Sequence, residues 1–296
     1  MLKTKRNAVF LILIIFNLIK LPFANAMDYS TALNFDKIKP VETMALTQPI
    51  PTAFAAEKVD GIQIEVNEPL SGVNAKQNIP AVRMRLLLNG RPFQLANSAV
   101  TINFADQIKT ADLINLALEL TIKPEDRADN YTGKIVLKTW INGTSGKEWK
   151  DSVMIKLTVK IQPWIKMHCE TNQIILDQAS YHKANLTNLQ PLYLQIASNS
   201  NWVLTCNLNG TDCELRPKVK IISGKTNQLQ VINQNSGITA NRQNLAVGTA
   251  TTTSNSYWLD LGIGLEITDV IKYAAKEYNI PLQFTALLWD GKTVIP

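Results

Sequence analysis

Histidine is nearly missing from this chain of 296 residues: there are two, alongside three cysteines, and only 18% of positions are charged. So few polarizable and titratable groups leave little room for catalysis or metal binding. His168 and His182 fall in no zinc-protease, nucleophile-elbow or phosphate-loop pattern. His168 could join Cys169, Cys206 and Cys213 as a metal set only without the paired Cys-x-x-Cys that structural zinc sites use. A Cys169 and His182 catalytic pair has no supporting motif either, and Glu119 and Glu266 read as solvated strand-face residues rather than as an acid and base. The expectation is a non-catalytic protein with no metal and no cofactor. Long single-sign charge runs are also missing. The net charge of +6 (pI about 9.1) is spread over strand-like segments, which argues against a nucleic-acid binder. No apolar stretch after the first residues reaches transmembrane length, so no membrane span is expected in the mature chain.

What is present begins with a leader. Lys3, Lys5 and Arg6 precede the unbroken apolar run from Ala8 to Phe16, Pro22 follows, and Ala24-Asn25-Ala26 supplies the small-x-small pattern of a signal peptidase site. Residues 1–26 are therefore read as a signal peptide cut after Ala26, and the mature chain as extracytoplasmic: periplasmic, cell-surface or secreted. In an oxidising compartment two of the three cysteines are expected to pair. Cys206 with Cys213 would close a loop around Asn209-Gly210, and Cys169 with Cys206 is the competing choice.

Residues 27–58 carry Pro40, Pro49 and Pro51 and read as a largely irregular, extended N-terminal segment, with one strand-like alternation at Tyr29, Thr31, Leu33 and Phe35. From about residue 60 the dominant period is two. Val82, Met84, Leu86 and Leu88 run into Asn89-Gly90, a hairpin signal; Leu116 to Ile122, Ile135 to Leu137 and Val153 to Ile161 follow, with Asn142-Gly143 as a further turn. The second half repeats this alternation at Val219 and Ile221 and from Leu259 to Ile267, around an Asn-, Gln- and Thr-rich insertion from Cys206 to Ser256. This is the pattern of antiparallel strands with one wet face. The division expected is an extended segment 27–58, a β-sandwich at 59–165 and a second at 166–296 holding the long polar insertion.

One match ties the halves together. Leu118-Glu119-Leu120-Thr121 leads to Tyr131, and Leu265-Glu266-Ile267-Thr268 leads to Tyr278 at the same spacing. A strand, a short crossing and a tyrosine at the next strand resemble the corner of an immunoglobulin-like sandwich, so Tyr131 and Tyr278 are expected as structural corners. In this respect the chain resembles the tandem immunoglobulin-like modules of bacterial surface, adhesin and fimbrial-type proteins. The resemblance implies an all-β fold of two tandem sandwiches, a structural or adhesion role, and a protein partner or self-assembly. The alternative is a carbohydrate-binding module or an accessory of a secreted hydrolase system. Among six tryptophans, Trp149 between Lys147 and Lys150 is the one expected at a surface, as a possible glycan contact. After Tyr278 only a short final strand remains, so the sandwich is completed by Lys292 to Ile295 itself, by a strand of the long insertion, or by an extended peptide from another subunit with Tyr29 to Phe35 as a candidate donor.

Overall fold

A computed structural model describes residues 28–51, 59–104, 114–171, 173–176, 181–182, 184–209, 215–224, 229–232, 237–239, 241–253, 255–273, 278–290, 292 and 294–295. The leader, with Ala24 and Ala26, lies outside these, as does Cys213. The fold is all-β: helical structure among the described residues is limited to short 3-10 turns such as Ala81–Arg83 and Val270–Lys272.

The strands of the first half are β1 (Asp28–Ile38), β2 (Met44–Pro49), β3 (Gly61–Gly72), β4 (Asn78–Ile79), β5 (Met84–Leu88), β6 (Arg91–Gln94), β7 (Val100–Asn103), β8 (Leu116–Ile122), β9 (Asp129–Gly143) and β10 (Gly146–Ile161). Those of the second half are β11 (Ile165–Cys169), β12 (Tyr181–His182), β13 (Asn185–Thr187), β14 (Leu192–Ser198), β15 (Trp202–Leu208), β16 (Lys218–Ser223), β17 (Leu229–Val231), β18 (Gln243–Gly248), β19 (Leu259–Ile267), β20 (Leu282–Trp289) and β21 (Val294–Ile295).

They form four sheets. The first runs β1-β10-β9-β3-β4 with β7 on β3, and the second β2-β8-β5-β6; the third runs β11-β14-β19-β13-β12 with β16 on β19, and the fourth β17-β18-β15-β20-β21. Period-two side chains from the first two sheets meet in one apolar core holding Ile64, Leu86, Leu118, Ile135 and Ile155. The third and fourth sheets enclose a second core around Leu194, Leu204, Leu245 and Ile263. In both halves the crossing after the repeated strand changes sheets, β8 to β9 and β19 to β20.

The Asn89-Gly90 turn forms as expected. Leu88 faces Arg91, and both turn residues take positive φ (50° and 80°), the backbone a two-residue hairpin requires. The β9–β10 turn is displaced from Asn142-Gly143: Gly143 pairs with Gly146, leaving Thr144 and Ser145 as the loop. Cross-strand pairing of Trp140 with Trp149 continues the ladder past Asn142, and Gly146, at φ +122°, supplies the turn conformation instead.

Residues 28–51 are more ordered than the prolines of this segment suggest. β1 runs parallel to β10 from Asp28 opposite Ser152 to Phe35 opposite Val159, and β2 pairs with β8. Leu33 and Phe35 are buried; an irregularity beyond Phe35, with Lys37 in the left-handed region, turns Ile38 inward as well. The polar insertion also contributes more than loops. β16 and β18 join the third and fourth sheets and bury Val219, Ile221, Leu245 and Ala246.

Candidate functional site

The two expected corner tyrosines have different surroundings. Tyr131 is fully buried; its hydroxyl donates to the Arg127 carbonyl at 3.0 Å and lies 2.9 Å from Gln77 Oε1, which accepts from the Arg127 amide. Burial, with the Asp126 and Asp129 carboxylates nearby, pushes its phenol far above the ordinary range. Two acids complete this corner. Asp129 accepts from the amides of Ala75, Asn74 and Asn130, and Asp126 from the Lys123 amide and Arg83. Tyr278, by contrast, is half-buried, precedes β20 rather than lying in a strand, and packs edge-on to Tyr273 with centroids 6.4 Å apart. The 274–277 part of its crossing is outside the described residues.

The cysteines do not meet. Cys206 is a free thiol fully buried in the second core, where burial pushes its pKa up to about 12, whereas Cys169 is free and exposed at the end of β11. The Cys169 to Cys206 disulfide is therefore not formed: one side chain points between the sheets and the other to solvent. The second member of the other candidate pair, Cys213, is outside the described residues. His168 is exposed beside Cys169 and away from buried Cys206, and no metal-binding cluster exists among the described residues.

Two surfaces stand out. The first is β20. Its counterpart in the first half, β9, buries Tyr131, Ile135 and Leu137 completely and is covered along its length by β10. No residue of β20 is fully buried; Leu282, Phe284 and Ala286 pack against the second core yet stay partly exposed. One edge of β20 pairs with β15 throughout, but the other meets only β21, at Leu288 and Trp289. Between Leu282 and Leu287 that edge is hydrogen-bonded to no strand in a ladder among the described residues. Alongside lies β11, whose residues are also exposed or half-exposed, including Met167 at 36%.

The second surface is the outer face of β9 and β10. Trp140 lies over Gly61, where a Cβ would fall 2.1 Å from its ring, and Trp149 packs edge-on to it with centroids 5.7 Å apart. A register shift between Trp149 and Ser152 places Trp149 opposite Trp140 on the same face. Trp149 remains 49% exposed, whereas Trp140, Trp164 and Trp202 are buried. The Lys147 ammonium sits 4.1 Å from the Trp140 ring centroid and that of Lys138 5.9 Å from the Trp149 centroid, holding both rings in place.

A polar joint connects the halves. The Asn199 side chain donates to the carbonyls of Asp126 (3.1 Å) and Gln162 (3.2 Å) and accepts from the Trp164 amide (2.9 Å). Thr252 donates to the Pro124 carbonyl, and Tyr257 stacks on Trp164 while its hydroxyl donates to the Val41 carbonyl. Sequence reading missed this joint, because Asn199 and Tyr257 carry no motif and gain meaning only from partners far along the chain.

No helix among the described residues is long and apolar enough to cross a membrane. No protein-family model and no curated protein matches the chain. Among solved structures, the chain is similar to a chain of the CsuC–CsuE chaperone–tip adhesion subunit pre-assembly complex from archaic chaperone-usher Csu pili of Acinetobacter baumannii (10% identity, 88% of this chain and 98% of that one, TM-score 0.38). It is also similar to CfaE, the adhesive subunit of CFA/I fimbria of enterotoxigenic Escherichia coli (10% identity, 88% and 97%, TM-score 0.35). A third likeness is to the CupB6 tip adhesin from Pseudomonas aeruginosa (9% identity, 88% and 89%, TM-score 0.30). At these scores no function passes from them to this chain, and the functional reading rests on its own residues.

Proposed function

We propose that this chain is a non-catalytic, extracytoplasmic subunit of a surface or fimbrial assembly, acting in structure or adhesion. It is exported on residues 1–26 and folds as two tandem immunoglobulin-like sandwiches, 59–165 and 166–296, with β1 and β2 of the segment 27–58 completing the first. A partner protein adds an extended strand along β20. The observation that carries this reading is the contrast between β9, covered by β10, and β20, which among the described residues meets β21 at two positions and buries no residue completely. An open edge with a half-buried apolar row offers backbone pairing and side-chain pockets to an incoming strand. The donor is not β1 of the same fold, since that strand is already paired to β10 with Leu33 and Phe35 in the first core.

Amide hydrogen exchange on the mature chain tests the proposal. Alternate amides from Gln283 to Leu287 should exchange at rates near those of exposed backbone while those of Ile135 to Leu137 stay protected. Fusing an alternating apolar strand to the C-terminus through a flexible linker should slow the former group. Equal protection of β9 and β20 in the unfused chain would rule the proposal out.

A further inference from the structure

We infer that the outer face of β9 and β10 binds an acidic polysaccharide, with Trp149 as the stacking platform and lysines of both strands as the anion contacts. This gives the adhesion reading a ligand class, and it rests on that reading.

Residues directly opposite in a ladder share a face, so the pairing sets the composition of this surface. Trp149 faces Trp140, Ser152 faces Lys138, Met154 faces Val136, and Lys156 faces Lys134; Lys160 follows opposite Asn130. Lys156 lies directly opposite Lys134, a like-charge pair that the fold relieves on the Lys134 side only. Lys134 is neutralised by Glu68 of β3. Lys138, Lys147, Lys156 and Lys160 enter no ion pair among the described residues, and the last three are exposed. With a strand rise of about 3.3 Å per residue, Lys156 and Lys160 stand about 13 Å apart along one strand, as do Lys134 and Lys138 along the next. Glu65, opposite Val136, also shares this face, but the unpaired lysines outnumber it and their spacing along two strands forms a track that suits a chain with repeated carboxylates or sulfates rather than a single anion. At one end of the track the half-exposed Trp149 ring is held by Trp140 and Lys138, so little side-chain freedom is lost when a sugar ring stacks on it. A bare polycation would lack this aromatic element, and a neutral-sugar site would have no use for the lysines.

The test uses the mature chain and three probes: polygalacturonate, neutral dextran and duplex DNA, titrated calorimetrically in low and high salt. Polygalacturonate should bind, weaken by about tenfold or more between dilute and 0.5 M salt, and lose about tenfold in affinity in Trp149→Ala but much less in Trp149→Phe. The triple change Lys138→Gln, Lys156→Gln, Lys160→Gln should abolish binding, and dextran should not bind. No polygalacturonate binding, equal affinity for dextran or DNA, or indifference to Trp149→Ala would each overturn the inference. Exchange at β20, in the other sheet pair, is unaffected by these outcomes, so failure of the ligand and failure of the subunit reading are told apart.

Discussion

Asp126 and Asp129 sit in one corner and are driven in opposite directions. For Asp126, burial outweighs the Lys123 amide and the Arg83 guanidinium and raises its pKa above 3.8; for Asp129, burial pushes upward, but the amides of Ala75, Asn74 and Asn130 outweigh it and hold the carboxyl below 3.8. A lowered carboxyl contributes stability that is present above the unfolded value and is lost as pH falls through it toward the folded one; a raised carboxyl has the opposite sign. The share of the urea midpoint that Asp129 supplies should therefore be lost as pH drops below about 4, while Asp126 works in the opposite direction. Asp129→Asn should start from a lower midpoint at pH 7 and fall less over the same range. The repeated spacing singled out Tyr131 from the sequence, and the structure buries it with its hydroxyl on the Arg127 carbonyl. The four hydrogen bonds that Asn74, Ala75 and Gln77 make to Asp129 and Tyr131 were not legible there, since that loop reaches them from about fifty positions away.

At the level of elements, alternation told which segments are strands but not which strands pair. The Tyr29 to Phe35 alternation was readable as a strand, and the prolines at 40, 49 and 51 obscured that both it and Met44–Pro49 are built into the first sheet pair. Edge strands tolerate such prolines because one row of their amides needs no partner in the sheet. Burial of Leu33, Phe35 and Ile38 contributes about 1.5–3 kcal/mol each, a total comparable with the whole stability of an ordinary domain. Deleting residues 27–38 from the mature chain should accordingly unfold the first sheet pair, seen as loss of the Tyr131 and Trp140 near-ultraviolet signals and of solubility. A deletion mutant that melts like the full chain would mean that β1 is dispensable, and would free it to act as a donor strand elsewhere.

Across the whole molecule, the Asn199 joint makes the two cores interdependent. Asn199→Ala would leave the carbonyls of Asp126 and Gln162 and the amide of Trp164 without this partner, at about 1–3 kcal/mol for each group that stays buried and unpaired. Calorimetry should then show a single unfolding transition in the wild type resolving into two in the variant, with the lower one assigned by Trp202 fluorescence to the second sheet pair. What the sequence alone determined is the all-β class, the strand segments and the scarcity of histidine and cysteine, because side-chain period and composition are local properties. Only the tertiary structure decided that β1 pairs along β10 while Leu282 to Leu287 of β20 have β15 as their one strand partner among the described residues, that Cys206 is buried out of reach of Cys169, and that five lysines and two tryptophans share one face. Strand order and register join positions far apart in the chain, and no local pattern encodes them.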